Sequence, residues 1–108
     1  MSQKILQINL KFSFSAAEYE QAVAGMAEAM AAVEGLRWKV WLMNAAEQEA
    51  GGIYLFDSAE AVQDFLDGPL VSQVASHPAI TAVSAKQFDI SEELTAITRG
   101  PVGAVVSM

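Results

Sequence analysis

Two periodicities alternate along this chain, and their order limits the fold more than any other feature of the sequence. Residues 4–12, KILQINLKF, alternate apolar and polar side chains with the period of two that is typical of a strand with one buried face. Residues 16–34 repeat apolar side chains every three or four positions, which is typical of an amphipathic helix. The same two patterns return later in the chain, so the sequence predicts a fold that mixes strands with helices.

The second half of the chain completes the pattern. The predicted elements are two strands at residues 36–43 and 49–56 with a short polar connection, a second helix that begins at Asp57 or Ser58 and ends at Gly68-Pro69, and a fourth strand at 81–90. A β-α-β-β-α-β order whose helices are separated by a hairpin is typical of the ferredoxin-like α+β fold. In that fold the sheet is antiparallel and both helices cover the same face.

Particular residues also indicate where the first helix begins and ends, and where the C-terminal tail starts. Ser15 and Glu18 have the spacing of a capping box, in which each side chain accepts a hydrogen bond from the other residue's backbone N–H. Gly35 stands where a left-handed residue commonly follows a helix. We expect residues 1–108 to form a single domain, with residues 90–108 as a C-terminal tail. Its first part is suited to a short helix, and its last eight residues are expected to be extended or loose.

Composition excludes several classes of function. The net charge is −7 and the six basic residues form no run, so neither nucleic acid nor an anionic membrane surface is an expected partner. The chain has no cysteine, which excludes thiolate metal sites and cysteine nucleophiles and fits a reducing cytoplasm. The first ten residues lack the apolar length and cleavage site of a signal peptide. We therefore expect a cytoplasmic location.

Residues 35–44, GLRWKVWLMN, raise the question of what covers the second face of the sheet. In a strand, Trp38 and Trp41 point to opposite faces, and helices cover only one of them. Burying a large apolar side chain is worth roughly 1.5–3 kcal/mol, so a broad exposed patch is unfavourable. Either an identical subunit packs its sheet against this face, as in a dimeric α+β barrel, or the C-terminal tail covers the exposed tryptophan. The sequence favours the homodimer.

Three segments resemble the YdhR-like family of monooxygenases: GLRWKVW at 35–41, EAGGIYLF at 49–56, and FDI at 88–90 followed by Leu94. The resemblance covers about residues 4–98 and implies the dimeric α+β barrel fold. It also implies an oxidation of an aromatic compound by O₂ without metal, flavin or haem. The substrate cavity would lie between the sheet and its helices, with an aromatic residue at the end of strand three beside it.

On this resemblance, five residues are expected to bind a small apolar or aromatic ligand: Trp38, Tyr54, Phe56, Val62 and Phe65. The same side chains also suit a plain hydrophobic core. Whether Trp38 shares the face of Tyr54 depends on the hairpin register, which a one-residue slip reverses. We expect Trp38 on the Tyr54 face and Trp41 between the subunits.

The catalytic candidates are Tyr54, Trp38 and His77. Tyr54 would donate a hydrogen bond to a substrate oxygen. His77 is the only histidine and would be a convenient base for a phenol, although it lies in a predicted loop, where histidines are usually solvated. The proton acceptor is not identified by the sequence.

Two further features of the strands, a pair of amides and a pair of glycines, have structural interpretations. Gln7 and Asn9 lie on the polar side of strand one and are expected to meet Arg37 or Lys39 inside the barrel, or to orient a ligand. The glycine pair at 51–52 lies inside a strand, where it is expected to allow close packing by a neighbouring tryptophan.

Three functions remain open at this point. The first is a cofactor-independent monooxygenase that oxidises an aromatic or quinone-like compound. The second is a non-catalytic small-molecule-binding or stress-related dimer. The third is an isomerase or lyase, since the same superfamily includes them.

Overall fold

The computed structural model describes residues 2–102, which form a four-stranded antiparallel sheet flanked by helices. The strands are β1 (Lys4–Phe12), β2 (Leu36–Asn44), β3 (Glu49–Phe56) and β4 (Ile80–Asp89), and their order in the sheet is β2-β3-β1-β4. The helices are α1 (Ala16–Ala24), α2 (Ala27–Ala31), α3 (Ala59–Leu66), α4 (Pro69–Ala75) and α5 (Glu92–Ile97). This is the predicted ferredoxin-like arrangement. In the described part of the chain, every helix is too short or too polar to cross a bilayer.

The first helical segment begins as predicted but does not run unbroken to residue 34. Both bonds of the capping box are present, from Glu18 N to Ser15 Oγ at 3.1 Å and from Ser15 N to Glu18 Oε1 at 3.0 Å. The helix then ends at Gly25, and α2 starts afresh at Ala27. Glycine inside a helix costs roughly 0.5–1 kcal/mol relative to alanine, which favours the break at this position. Gly35 has the predicted positive φ, at 83°.

The core lies between one face of the sheet and helices α1 to α4. The alternating residues of β1 supply its floor: Leu6, Ile8, Leu10 and Phe12. One cluster packs this floor against α2 and α3, and a second packs it against α1. Ser58 caps α3 by accepting a hydrogen bond from Ala61 N at 3.1 Å, as the sequence predicts.

A β-bulge at Arg37 determines which residues of β2 face the helices. Leu36 pairs with Phe56, but Trp38 pairs with Leu55, so two steps along β2 match one step along β3. The extra residue reverses the alternation that follows it, as bulges do. The expectation that Trp38 shares the face of Tyr54 is therefore wrong.

The opposite, outer face of the sheet is apolar but only partly covered. Trp38 lies on this face, and its indole N–H donates a hydrogen bond to the carbonyl of Pro101 at 2.8 Å. Leu55, its neighbour across the strands, is buried. Val40 and Phe88 on the same face remain 51% and 45% exposed. The C-terminal segment therefore contacts Trp38, which agrees with the alternative that the tail covers the outer tryptophan. Apolar side chains elsewhere on the outer face remain exposed.

The polar residues of β1 make local contacts on the outer face. Gln7 Nε2 donates to Asn9 Oδ1 at 3.0 Å, and Asn9 Nδ2 donates to Glu49 Oε2 at 3.2 Å. Arg37 instead pairs with Asp57 at 2.6 Å. Within one chain the two amides contact neither Arg37 nor Lys39, and a contact with these residues inside a dimeric barrel stays a prediction.

The tail begins with the predicted short helix, which is α5. Of the eight final residues expected to be extended or loose, only 101 and 102 belong to the described part, and residues 103–108 lie outside it.

Candidate functional site

A small cavity lies between the sheet and the helices at the place expected for a substrate. Its aromatic walls come from α1, β2, β3 and α3: Tyr19, Trp41, Tyr54 and Phe65. Aliphatic side chains of α2 and α4 close the other sides. The cavity volume is about 40 Å³, above the roughly 10–15 Å³ that a cavity needs to hold one water molecule. The cavity is small and partly open to the surface.

A larger concavity lies elsewhere on the surface. It has a volume of about 610 Å³ and is lined by four carboxylates: Glu34, Asp57, Glu60 and Asp64. This groove is open to solvent and does not include Tyr54. Carboxylates on a solvated groove are ordinary surface residues, so the interior cavity is the better candidate site.

Tyr54 occupies the centre of the aromatic wall. Its ring centroid lies 5.2 Å from that of Phe65 and 6.0 Å from that of Phe56. Burial, with a smaller contribution from the neighbouring Tyr19, raises the pKa of the Tyr54 phenol. Its hydroxyl makes no hydrogen bond to any other residue of the described range 2–102. Tyr54 is therefore a protonated phenol, suited to donate a hydrogen bond to a ligand.

Lys39 is the unexpected polar group of the site. It pairs with Tyr54 across β2 and β3, and its Nζ lies 3.3 Å from the ring centroid of Trp41 and 4.6 Å from that of Tyr54. Gly52 makes room for this side chain, because a Cβ there would lie 2.6 Å from Lys39 Cε. The glycine thus accommodates the Lys39 side chain, while the expected neighbouring tryptophan is Trp41, its direct partner across the strands.

Burial changes the acidity of this lysine. Removal from water lowers the pKa of the Lys39 ammonium to about 7, because a charged group loses its hydration. Among residues 2–102, Lys39 has no ion-pair or hydrogen-bond partner. The aromatic faces of Trp41 and Tyr54 supply its only favourable electrostatic contacts. Near neutral pH a substantial fraction of the amine is uncharged and able to accept a proton.

Trp41 separates the interior cavity from the surface. Its side chain lines the cavity and also two shallow clefts, of about 180 Å³ and 220 Å³. The indole is 40% exposed.

The structure brings together only some of the predicted binding residues. Tyr54 and Phe65 line the cavity, as expected. Phe56 and Val62 are fully buried behind this wall, as core residues. Trp38 lies on the opposite face of the sheet and does not reach the cavity.

His77 is not part of the cavity either. Its Nδ1 accepts a hydrogen bond from Ala79 N at 3.0 Å. Its ring centroid lies 5.3 Å from that of Phe14. These contacts hold the ring at the turn before β4, away from Tyr54 and Lys39.

The sequence interpretation missed Lys39 and Trp41 as cavity residues. One signal was available, since a lysine between two tryptophans in an apolar strand is suited to contact with aromatic rings. The face on which Lys39 lies depends on the bulge at Arg37, and the apolar pattern of the sequence does not indicate this bulge.

Solved structures share this fold at low sequence identity. A protein of unknown function from Nitrosomonas europaea superimposes with a TM-score of 0.72 at 15% identity, over 84% of this chain and 91% of that one. SnoaB, a cofactor-independent oxygenase from Streptomyces nogalater, superimposes with a TM-score of 0.68 at 15% identity, over 84% of this chain and 95% of that one. The haem degrader MhuD from Mycobacterium tuberculosis superimposes with a TM-score of 0.62 at 24% identity, over 81% of this chain and 95% of that one. The fold is thus the ferredoxin-like α+β class that contains these oxygenases.

The family follows from the sequence itself. Residues 5–101 match the family described as "Putative mono-oxygenase ydhR". This span covers most of the chain, so the protein belongs to that family, and the resemblance stated from its motifs is confirmed. A comparison with curated proteins found no match.

Proposed function

We propose that this protein is a cofactor-independent monooxygenase that oxidises a small aromatic or quinone-like compound with O₂. The observation that carries the proposal is the small aromatic cavity in which Tyr54 and Lys39 are paired across the strands, with the Lys39 Nζ 4.6 Å from the centroid of the Tyr54 ring. Membership of a monooxygenase family gives this cavity its reaction class. A fold alone would not, since one fold serves many functions.

The cavity supplies what such a reaction requires of a protein. An anthrone-type substrate loses a proton, and the electron-rich anion then reacts with O₂. One oxygen atom becomes the new carbonyl and the other leaves as water with the two hydrogens of the reacting carbon. Apolar walls exclude bulk water, and the Tyr54 phenol is placed to donate a hydrogen bond to a substrate oxygen.

Substrate entry requires the cavity to open. Pockets for drug-sized ligands commonly have volumes of roughly 300–1,000 Å³, far above the volume of this cavity. The two clefts beside Trp41 are each several times larger than the cavity itself. Displacement of the Trp41 indole gives the most direct route between them, so we propose this side of the molecule as the entrance.

Oxygen uptake tests the proposed reaction. With anthrone or a hydroquinone, the wild type should consume O₂ faster than the substrate autoxidises. Tyr54→Phe removes only the hydroxyl and should lower the rate by about 10-fold or more, the loss of one hydrogen bond to developing charge. His77→Ala is the control and should retain the wild-type rate. Uptake at the autoxidation rate across a panel of such substrates would refute the proposal.

The alternative is a non-catalytic binding protein. The small volume of the cavity does not separate the two functions, because an aromatic compound has to open it before it is either bound or oxidised. Tight binding of an aromatic compound to the wild type without accelerated oxygen uptake would support it.

We also propose that the protein works as a homodimer, with the outer faces of two sheets packed together. The apolar residues left exposed on that face support the proposal, among them Val40 and Phe88. Such surface is unfavourable in water and is typical of an interface.

A further inference from the structure

We propose that Lys39 is the proton acceptor of this site, and that its substrate is an acidic phenol bound as the phenolate. This proposal rests on the proposed function, which leaves the acceptor unassigned. It concerns the step before oxygen reacts, so it has consequences that can be measured without oxygen.

The position of the amine is the first argument. Lys39 Nζ lies inside an aromatic enclosure, 3.3 Å from the centroid of Trp41 and 4.6 Å from that of Tyr54. A planar ring that displaces the Trp41 indole would take its place against the lysine. Its hydroxyl could then reach both the Lys39 amine and the Tyr54 phenol, since the two residues are directly paired across the strands.

The charges around the amine are the second argument. The titratable groups that line the cavity with Lys39 are Tyr19 from α1 and Tyr54 from β3, and the remaining lining side chains are apolar. Lys39 also lines one of the two clefts beside Trp41, together with Arg37, and Glu20 lines the other cleft. Burial raises the pKa of both tyrosines, so neither is an anion near neutral pH. The enclosure therefore has a cation without a counter-anion, and a phenolate supplies one.

The acidity of the amine is the third argument. With a pKa of about 7, Lys39 is partly neutral at neutral pH and can accept a proton there. The phenol O–H bond breaks, an N–H bond forms at Nζ, and the electron pair stays on the phenolate oxygen. No oxidant takes part in this step. The resulting ammonium and phenolate stabilise each other in an environment with little water.

Anaerobic titration with 4-nitrophenol tests the proposal, because only the anion of this compound absorbs visible light. On the wild type, the bound compound should ionise about 1–3 pH units lower than in solution, the usual effect of an adjacent opposite charge. On Lys39→Met it should ionise at the solution value or higher. Lys11→Met removes an exposed lysine of β1 and should behave as the wild type.

A second variant separates a base from a mere positive charge. Lys39→Arg keeps the charge but cannot accept a proton, so it should still bind the phenolate. Its oxygen uptake should fall by about 10²-fold or more, the usual contribution of general base catalysis. The wild-type pH dependence near pH 7 should also disappear.

The outcomes distinguish this inference from the proposed function. Absent oxygen uptake together with a lowered ionisation of bound 4-nitrophenol would refute the oxygenase and support the phenolate site. No ionisation shift on the wild type, the same shift on Lys39→Met, or wild-type turnover by Lys39→Arg would overturn the role of Lys39. Oxygen uptake by the wild type would then still support the oxygenase.

Discussion

Gly52 keeps open the space that the side chain of Lys39 occupies. A methyl group at this position would lie 2.6 Å from Lys39 Cε and 3.1 Å from Tyr54 Cε1. We expect Gly52→Ala to destabilise the protein by about 1 kcal/mol, the lower end of the usual cost of overpacking, because the flexible end of Lys39 can move aside while the Tyr54 ring gives way less easily. Urea denaturation measures this loss.

Gly25→Ala is the matched control for that substitution. A Cβ at Gly25 meets no atom within 4 Å, and its φ of −69° suits any residue. Alanine there should stabilise the protein by about 0.4–1 kcal/mol, because the unfolded chain loses freedom. Equal effects at the two glycines would contradict the packing of Lys39 over Gly52.

The buried amine of Lys39 links the free energy of unfolding to pH. Its pKa is about 7 in the folded protein, whereas an unfolded lysine titrates near about 10.4. Between these values the unfolded chain holds a proton that the folded protein has released. The free energy of unfolding should therefore rise with pH, by at most about 1.4 kcal/mol per unit.

Urea denaturation at about pH 7, 8 and 9 measures this slope, below the range in which an unperturbed tyrosine titrates. Lys39→Met should lack the rise, because it has no amine to deprotonate. Parallel pH profiles for the two proteins would show that Lys39 keeps an ordinary pKa.

At the scale of elements, β2 connects the sheet to the C-terminal segment through one indole. Trp38 donates its N–H to the carbonyl of Pro101, close after α5. Trp38→Phe keeps an aromatic ring but loses this bond, worth about 0.5–1.5 kcal/mol. We expect faster hydrogen exchange at the amides of α5. Trp41→Phe, on the other face, should leave that exchange unchanged.

The sequence predicted the elements better than their contacts. Strand β3 matches its predicted bounds, and the caps at Ser15 and Ser58 form as expected, because these features depend on neighbouring residues. The face of Trp38 was predicted wrongly, because a bulge adds one residue without changing the local pattern. The break near Gly25 has a weak signal, since helices often tolerate a glycine.

The candidate site was predicted only in part, because the bulge at Arg37 also changes which residues of β2 line the cavity. Tyr54 and Phe65 follow from regular alternation and helical spacing, and both line the cavity. Lys39 and Trp41 lie beyond the bulge, so the regular pattern assigns them to the wrong face. His77 was proposed from its chemistry alone, and the fold places it elsewhere.

At the scale of the whole molecule, the sheet has a closed inner face and an apolar outer one. Val40 is 51% exposed on the outer face, on the edge strand β2. If two copies pack there, Val40→Glu places a charge inside the interface and should produce monomers. Sedimentation velocity at micromolar concentration measures the change. Ala22→Glu, on the exposed side of α1, is the control and should remain dimeric.

A monomeric wild type in that experiment would contradict the dimer but not the cavity. The cavity lies between the helices and the inner face of the sheet, whereas the proposed interface is on the outer face, so we expect an aromatic compound to bind with or without a second copy.

The extra residue at Arg37 has a genetic corollary. Neighbouring codons of β2 encode side chains for opposite surfaces, with Lys39 inside and Trp38 and Val40 outside. An in-frame loss of the Arg37 codon removes only the extra residue, so Trp38 can still pair with Leu55 and Lys39 with Tyr54. A codon lost farther along β2 instead moves the residues beyond it to the opposite face. A deep mutational library of this strand should therefore retain the deletion of Arg37 and lose the single-codon deletions that follow Lys39.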